Sequence, residues 1–158
     1  MKTHKGLILR LLWGKRVSAA NAIADGIHAH GWITTTATAA LASKYLLVTA
    51  GGTTAADAAT AAIGVCYETV TATDIANSIP VRVSALGVGP TKLMVAGSTA
   101  SGVIAAGAVV AQDAAGTVKA YTGGAGIVVG RALTASSVAG DVLEVASCIA
   151  MPYPTAAS

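Results

Sequence analysis

The stretch "GIVVGRALTASSVAGDVLEV" (Gly126–Val145) decides the fold, because it has a counterpart upstream in "IGVCYETVTATDIANSIPVRV" (Ile63–Val83). Ile63-Gly64-Val65 matches Val129-Gly130-Arg131, and "TATDIANSIPVRV" matches "TASSVAGDVLEV". Each copy reads as an apolar strand, a small-residue loop and an alternating strand. In the first copy Val81 and Val83 fall on one face of the closing strand and Arg82 on the other, since side chains alternate with period two. Glycines shape the turns and valines fill the interior. Arg131 and Glu144 read as surface or interface charges, and no residue of Gly126–Val145 has the look of a catalytic group.

The same texture extends outward. From Ile33 "WITTTATAA" is rich in Thr, and "KYLLVTAGG" is a strand running into a glycine turn. "GVGPT" is a turn, and "GAVVAQDAAGTVKAY" gives two strands around "DAAG". Strands at intervals of roughly 8–12 residues with glycine turns predict an all-β fold, a small sandwich or barrel. It is built from two imperfect repeats, about 41–88 and 93–150, within a β body spanning 33–150. The tail 151–158 carries Pro152 and Pro154 and is expected to be extended. Residues 1–32 form a separate basic, amphipathic arm, extended or partly helical; "SAANAIADG" is its helical candidate, with Ser18 as N-cap and Gly26 as stop.

Composition narrows the class. Of 158 residues 54% are hydrophobic but only 4% aromatic, with no Phe. The core must therefore use small side chains, each burying little area at roughly 25 cal/mol per Å². A lone monomer of this kind should be marginally stable, which points toward self-assembly. Mean hydropathy is +0.67, yet the best apolar run, Gly102–Ala111, stops at Gln112 and Asp113. A spanning helix needs about 18 apolar residues or more, so no transmembrane helix and no membrane partner is expected. In "MKTHKGLILRLLWGKR" the apolar run is broken by Arg10 and followed by Lys15 and Arg16, which is wrong for a cleaved signal.

Net charge is +3, and its distribution matters more than its sum. Lys2, Lys5, Arg10, Lys15 and Arg16 are half of the ten basic residues, and no acid precedes Asp25. The chain is a near-neutral body with a basic arm. With one aromatic and several leucines, Leu9, Arg10, Leu11, Leu12, Trp13, Lys15 and Arg16 fit a protein surface with acidic and apolar patches better than nucleic acid.

Each candidate for chemistry has a plainer reading. His28 and His30 would share a face of a strand, but with His4 as the only other histidine they read as exposed arm residues rather than metal ligands. "GGAGIVVG" misses the dinucleotide spacing and "GVGPTK" lacks the phosphate-loop order, so both read as turns. No serine has the spacing of a nucleophile. Asp25, Asp57, Asp74, Asp113, Asp141, Glu68 and Glu144 are scattered. Cys66 and Cys148 lie in strand-like stretches and read as reduced, buried thiols, with a disulfide between them as the alternative. The sequence predicts neither an enzyme nor a cofactor, metal or small-molecule site.

"AAGAVVAQDAAGTVKA" followed by "GIVVGRALTASSVAGDVLEV" resembles the end of the small cement, or head decoration, proteins of tailed-phage capsids. The shared pattern is a strand, "D-x-x-G-x-V", an apolar "IG-x-A" strand and "A-x-x-G-D-x-V-x-V". Here it falls on Asp113, Gly116, Val118, Gly130, Ala132, Gly140, Asp141, Val142 and Val145. "TTTATAALASKYLLVT" and "IGVCYETVTATD" fit the earlier half, so the likeness covers roughly Ile33–Ile149 and leaves the arm outside. It implies a non-enzymatic protein on the outer surface of a virion. Such a protein bridges subunits of the phage major capsid protein, as a homotrimer or alternatively a dimer, after assembly in the host cytoplasm. The arm residues Leu9–Trp13, Lys15 and Arg16 would then dock on the capsid. A fibre, surface-layer or adhesion module is the competing structural reading.

Overall fold

A computed structural model describes residues 31–55, 59–89, 91–98 and 102–152. Its strands are β1 (Trp32–Thr36), β2 (Leu46–Val48), β3 (Gly64–Cys66), β4 (Pro80–Ala85), β5 (Lys92–Val95), β6 (Val109–Gln112), β7 (Val118–Ala120), β8 (Ile127–Ala132) and β9 (Val142–Pro152). Among the described residues, one short helix, α1 (Ala72–Ala76), and a 3₁₀ turn at Ala114–Gly116 complete the regular structure. The fold is all-β, as the strand spacing predicts.

The strands form two antiparallel sheets, ordered β1-β4-β3-β2 and β5-β9-β8-β6-β7. The connectivity is the same in both. The first strand pairs with the last, the last with the third, and the third with the second. β7 is the addition in the second sheet, a hairpin strand hung on β6. The two sheets repeat one path of the chain, with β3 and β4 answered by β8 and β9. The first sheet starts at Trp32, whose register partner is Ser84.

The two sheets share a core. Leu47 and Val65 come from the first; Met94, Val110, Val118, Val129, Leu143 and Val145 come from the second. The opposite face of the first sheet is also covered. Leu46, Val48, Cys66, Val81 and Val83 pack with Ala37, Leu41 and Val70, with Ile75 of α1 against them. Leu41 and Val70 exchange backbone hydrogen bonds, each 3.0 Å, which closes this second layer. β2 and β3 are buried on both faces, so they read as continuous apolar runs. β4 has its predicted alternation, with Val81 and Val83 buried and Arg82 exposed.

Three devices lock the sheets together. Gln112 is fully buried; its Oε1 accepts from the Ala62 N–H at 3.2 Å and its Nε2 donates to the Thr60 carbonyl at 2.8 Å. The "DAAG" turn presses on the first sheet, with the Gly116 N–H donating to Ala55 O at 2.7 Å. Gly116 has φ 78°, and a Cβ there would stand 2.6 Å from Leu47 O, so only glycine fits. Trp32, Tyr67 and Tyr45 stack edge-to-face at centroid distances of 5.4 and 5.2 Å. The Tyr67 hydroxyl accepts the Leu93 N–H of β5 at 3.3 Å.

Two elements depart from the sequence reading. β5 was not expected between the turn at "GVGPT" and "GAVVAQ". α1 occupies part of the expected small-residue loop. It is held by a reciprocal cap in which Asp74 N–H donates to Thr71 Oγ1 at 3.2 Å and Thr71 N–H donates to Asp74 Oδ2 at 2.8 Å.

Candidate binding surfaces

The arm residues Leu9, Arg10, Leu11, Leu12, Trp13, Lys15 and Arg16 lie outside the described residues, as do His28 and His30. The structure describes the β body.

The residues of the glycine-rich motif read in the sequence form joints. Asp113–Val118 makes the turn against the first sheet and enters β7. Gly130 and Ala132 are in β8, and Gly140-Asp141 leads into β9. The Asp141 carboxylate accepts the N–H groups of Ser137 at 2.9 Å and Val138 at 3.1 Å, which lowers its pKa and holds the loop. Asp74 is lowered in the same way by the Thr71 N–H and hydroxyl. Asp113 is buried and pairs with Lys119 at 3.6 Å. Glu68 meets Arg82 at 2.7 Å on the surface. Glu144 accepts from the Thr91 hydroxyl, and exposed Arg131 donates to Gly107 O. These carboxylates are engaged separately in turns and pairs. Among the described residues no three of His, Cys, Asp and Glu gather in a metal-binding group, and no helix is long and apolar enough to cross a membrane.

Cys66 and Cys148 are both free thiols. Cys66 is fully buried as expected, whereas Cys148 is only half-buried. Burial pushes both thiols above the usual cysteine range. A shallow cleft of about 140 Å³ lies over the turn between β7 and β8, lined by Lys119, Tyr121 and the backbone of Gly123 and Gly126. The Tyr121 hydroxyl donates to Gly124 O at 2.7 Å, so the turn braces itself.

The sequence reading missed the apolar surface at one end of β9. Ile149 is 67% exposed, Met151 57% and Val88 48%. Ile149 and Met151 are two apart, so they share the outer face of β9, while Ala150 between them packs on the inter-sheet core. Strict alternation from buried Val145 would put Ile149 and Met151 on the core face, so the sequence pattern carried no signal for this surface; the β8–β9 register shifts between Val128 and Gly130. On its β5 side, β9 has no ladder partner beyond Val145 among the described residues, and Gly87 lies against it there, a Cβ on Gly87 standing 2.8 Å from Ile149 N. β5 pairs with β9 only over Val142–Val145, whereas β8 follows β9 on the other side to Pro152. Gly87 crosses the gap, its N–H donating to the Ser147 hydroxyl at 3.4 Å. A second set of exposed apolar residues, Val103, Leu133 and Val138, lies on loops elsewhere.

Lys92 was likewise not singled out by sequence. It is only 2% exposed, on the same face of β5 as Met94, and its ammonium donates to Val88 O at 2.9 Å. Burial lowers its pKa.

Comparison with protein-family models, with curated proteins and with solved structures finds no match to the chain.

Proposed function

We propose that this chain is a capsid decoration protein that binds the outside of a phage head and bridges subunits of the major capsid protein. The observation that carries the reading is where the shared motif falls. Asp113–Val118 and Gly130–Val145 form the joint between two packed β-sheets and the hairpin that closes the second. That motif is therefore a scaffold pattern, the kind of likeness a passive clamp would share.

The physics of a clamp fits such a body. A protein that binds the assembled shell in preference to free subunits stabilises the shell by mass action. Identical sites repeated on the lattice supply multivalency. Exposed Val88, Ile149 and Met151 offer apolar contact surface, and the arm adds Leu9, Leu11, Leu12 and Trp13 with Arg10, Lys15 and Arg16 for an acidic, apolar partner surface. Assembly on the lattice as a homotrimer belongs to the same proposal.

The test is sedimentation of the purified protein with phage capsids that lack a decoration protein, against a free-protein control. Binding that saturates at a fixed ratio to the capsid protein is the expected result. A folded protein that stays in the supernatant overturns the reading and favours a fibre, surface-layer or adhesion module.

A further inference from the structure

We infer that the outer face of the second sheet, centred on Leu133 and Ala146, is a self-association surface whose occupant is a second copy of this chain, related by a two-fold axis. The inference concerns the protein free in solution. It does not rest on the capsid reading, and it leaves lattice contacts to other surfaces.

The face is apolar where water would be expected. Ala132, Leu143 and Val145 are fully buried in the inter-sheet core. Side chains alternate along a strand, so Val142, Glu144 and Ala146 of β9 point the other way, as do Arg131 of β8 and Leu133 just beyond it. Arg131 is in register with Ala146. The Leu133 N–H donates to Glu144 O at 2.7 Å, which carries the pairing one residue past the end of β8. On β5, half-buried Leu93 is in register with Glu144. The solvated face of an antiparallel sheet normally carries polar residues. This one carries Leu93, Leu133, Val142 and Ala146, with Leu133 and Val142 each 47% exposed. Exposed apolar residues grouped on one face and rimmed by charge mark a contact surface.

The two charges on this face turn away from each other. Arg131 donates to Gly107 O, toward the β6 side of the sheet, and Glu144 accepts from the Thr91 hydroxyl, toward the β5 side. Leu133 and Ala146 are left between them. Among the described residues Arg131 has no carboxylate partner and Glu144 no cation.

This arrangement is complementary to itself. A two-fold axis lying in the plane of the face, midway between Arg131 and Glu144, exchanges their positions. Arg131 of each copy then meets Glu144 of the other, and the two apolar centres cover one another. Sheets packed face to face are ordinary β architecture. A contact of this kind is closed, since the same patch is used on both sides. A copy of the chain matches the charges by symmetry alone, which is what selects it as the occupant. Apolar burial supplies the attraction, while the two ion pairs fix the alignment and oppose misaligned contacts.

The experiment is analytical ultracentrifugation of the full-length protein over a concentration series. The parent should sediment at twice its chain mass of 15.4 kDa and dissociate on dilution. Arg131→Glu and Glu144→Arg each oppose like charges across the axis and should dimerise at least about tenfold more weakly. Mixed in equal amounts, these two variants bring opposite charges together at both contacts, and dimer should return to the parent level. Leu133→Asp, at an exposed position just outside the strand, should give the same loss without touching either charge. Circular dichroism melting confirms that each variant is folded. A parent that stays monomeric across the series would overturn the inference and leave the face to a different occupant. So would a dimer that the folded single variants leave unchanged, or a mixture that pairs no better than its components.

Discussion

Gly64 and Gly130 stand at the same point of the two sheets. Gly64 is in register with Ala85 and Gly130 with Ser147. A Cβ on Gly64 would meet Val83 Cγ1 and Ser84 O, both at 2.5 Å. One on Gly130 would meet Val145 Cγ1 at 2.7 Å and Ala146 O at 2.3 Å. The obstructing valine sits two residues before the register partner in each case, and the obstructing carbonyl one before. The glycine lets a closing strand lie tight against its neighbour.

Replacing either glycine by alanine should therefore destabilise the body by roughly 1–3 kcal/mol, the range for forcing an extra carbon into packed structure. Gly51→Ala is the control, because a Cβ there meets only Thr49 Oγ1 at 3.7 Å. Urea unfolding midpoints should fall for the first two variants and stay within about 0.5 kcal/mol for the third. An unchanged midpoint in Gly130→Ala would mean that the register is looser than the contacts require.

Gln112→Leu keeps the volume and removes both hydrogen bonds to the Ala62 N–H and the Thr60 carbonyl. Each buried group left without a partner costs about 1–3 kcal/mol. The loss should appear first as faster hydrogen exchange across residues 59–63, with the β8–β9 pairing exchanging as before. Uniform acceleration would show instead that the sheets unfold as one unit.

Lys92→Met tests the buried ammonium. A lysine whose folded pKa lies below its unfolded value, near 10.4, opposes folding while charged in both states. That opposition fades as pH rises between the two values, because there the unfolded chain binds more protons. At pH 7 the methionine variant should be neutral or more stable, by roughly 1 kcal/mol. Its advantage over the parent should shrink as pH approaches 10, in paired unfolding curves at several pH values. An advantage that grows with pH would reverse the sign of the argument.

The cysteines should separate by access. Cys66 is fully buried and Cys148 half-buried, and burial raises both pKa values. Near pH 8 iodoacetamide should label Cys148 slowly and Cys66 only after urea is added, as read by mass spectrometry of the peptides. Stability from the buried, protonated Cys66 is complete below the unfolded thiol pKa of about 8.5. It is lost as pH rises through the higher folded value. Rapid labelling of Cys66 in the folded protein would contradict its place under Val83 and Leu41.

How much could be read from the sequence depended on periodicity. Val81, Arg82 and Val83 declared β4 by alternation, and Gly64 with Gly130 declared the repeat. β5 was hidden because "KLMV" is short and begins with a lysine at an inward-facing position, and because its partner Val142–Val145 lies far along the chain. α1 was hidden because five residues show no helical period, although Thr71 and Asp74 carried the cap pattern. The surface at Val88, Ile149 and Met151 was not legible, since exposure at a sheet edge follows from which strand stops short, and here that is β5.

The shared path of the two sheets also sets the timing of folding. Trp32 pairs with Ser84 and Lys92 with Val145, so each sheet closes through contacts about fifty residues apart. Such non-local topology belongs to chains that fold in milliseconds to seconds. During synthesis the first sheet is completed when β4 leaves the ribosome, but the strands that cover Leu47 and Val65 are made later. The nascent chain must carry that apolar face open to water until Leu143 and Val145 emerge, and this interval is when a chaperone would have something to hold.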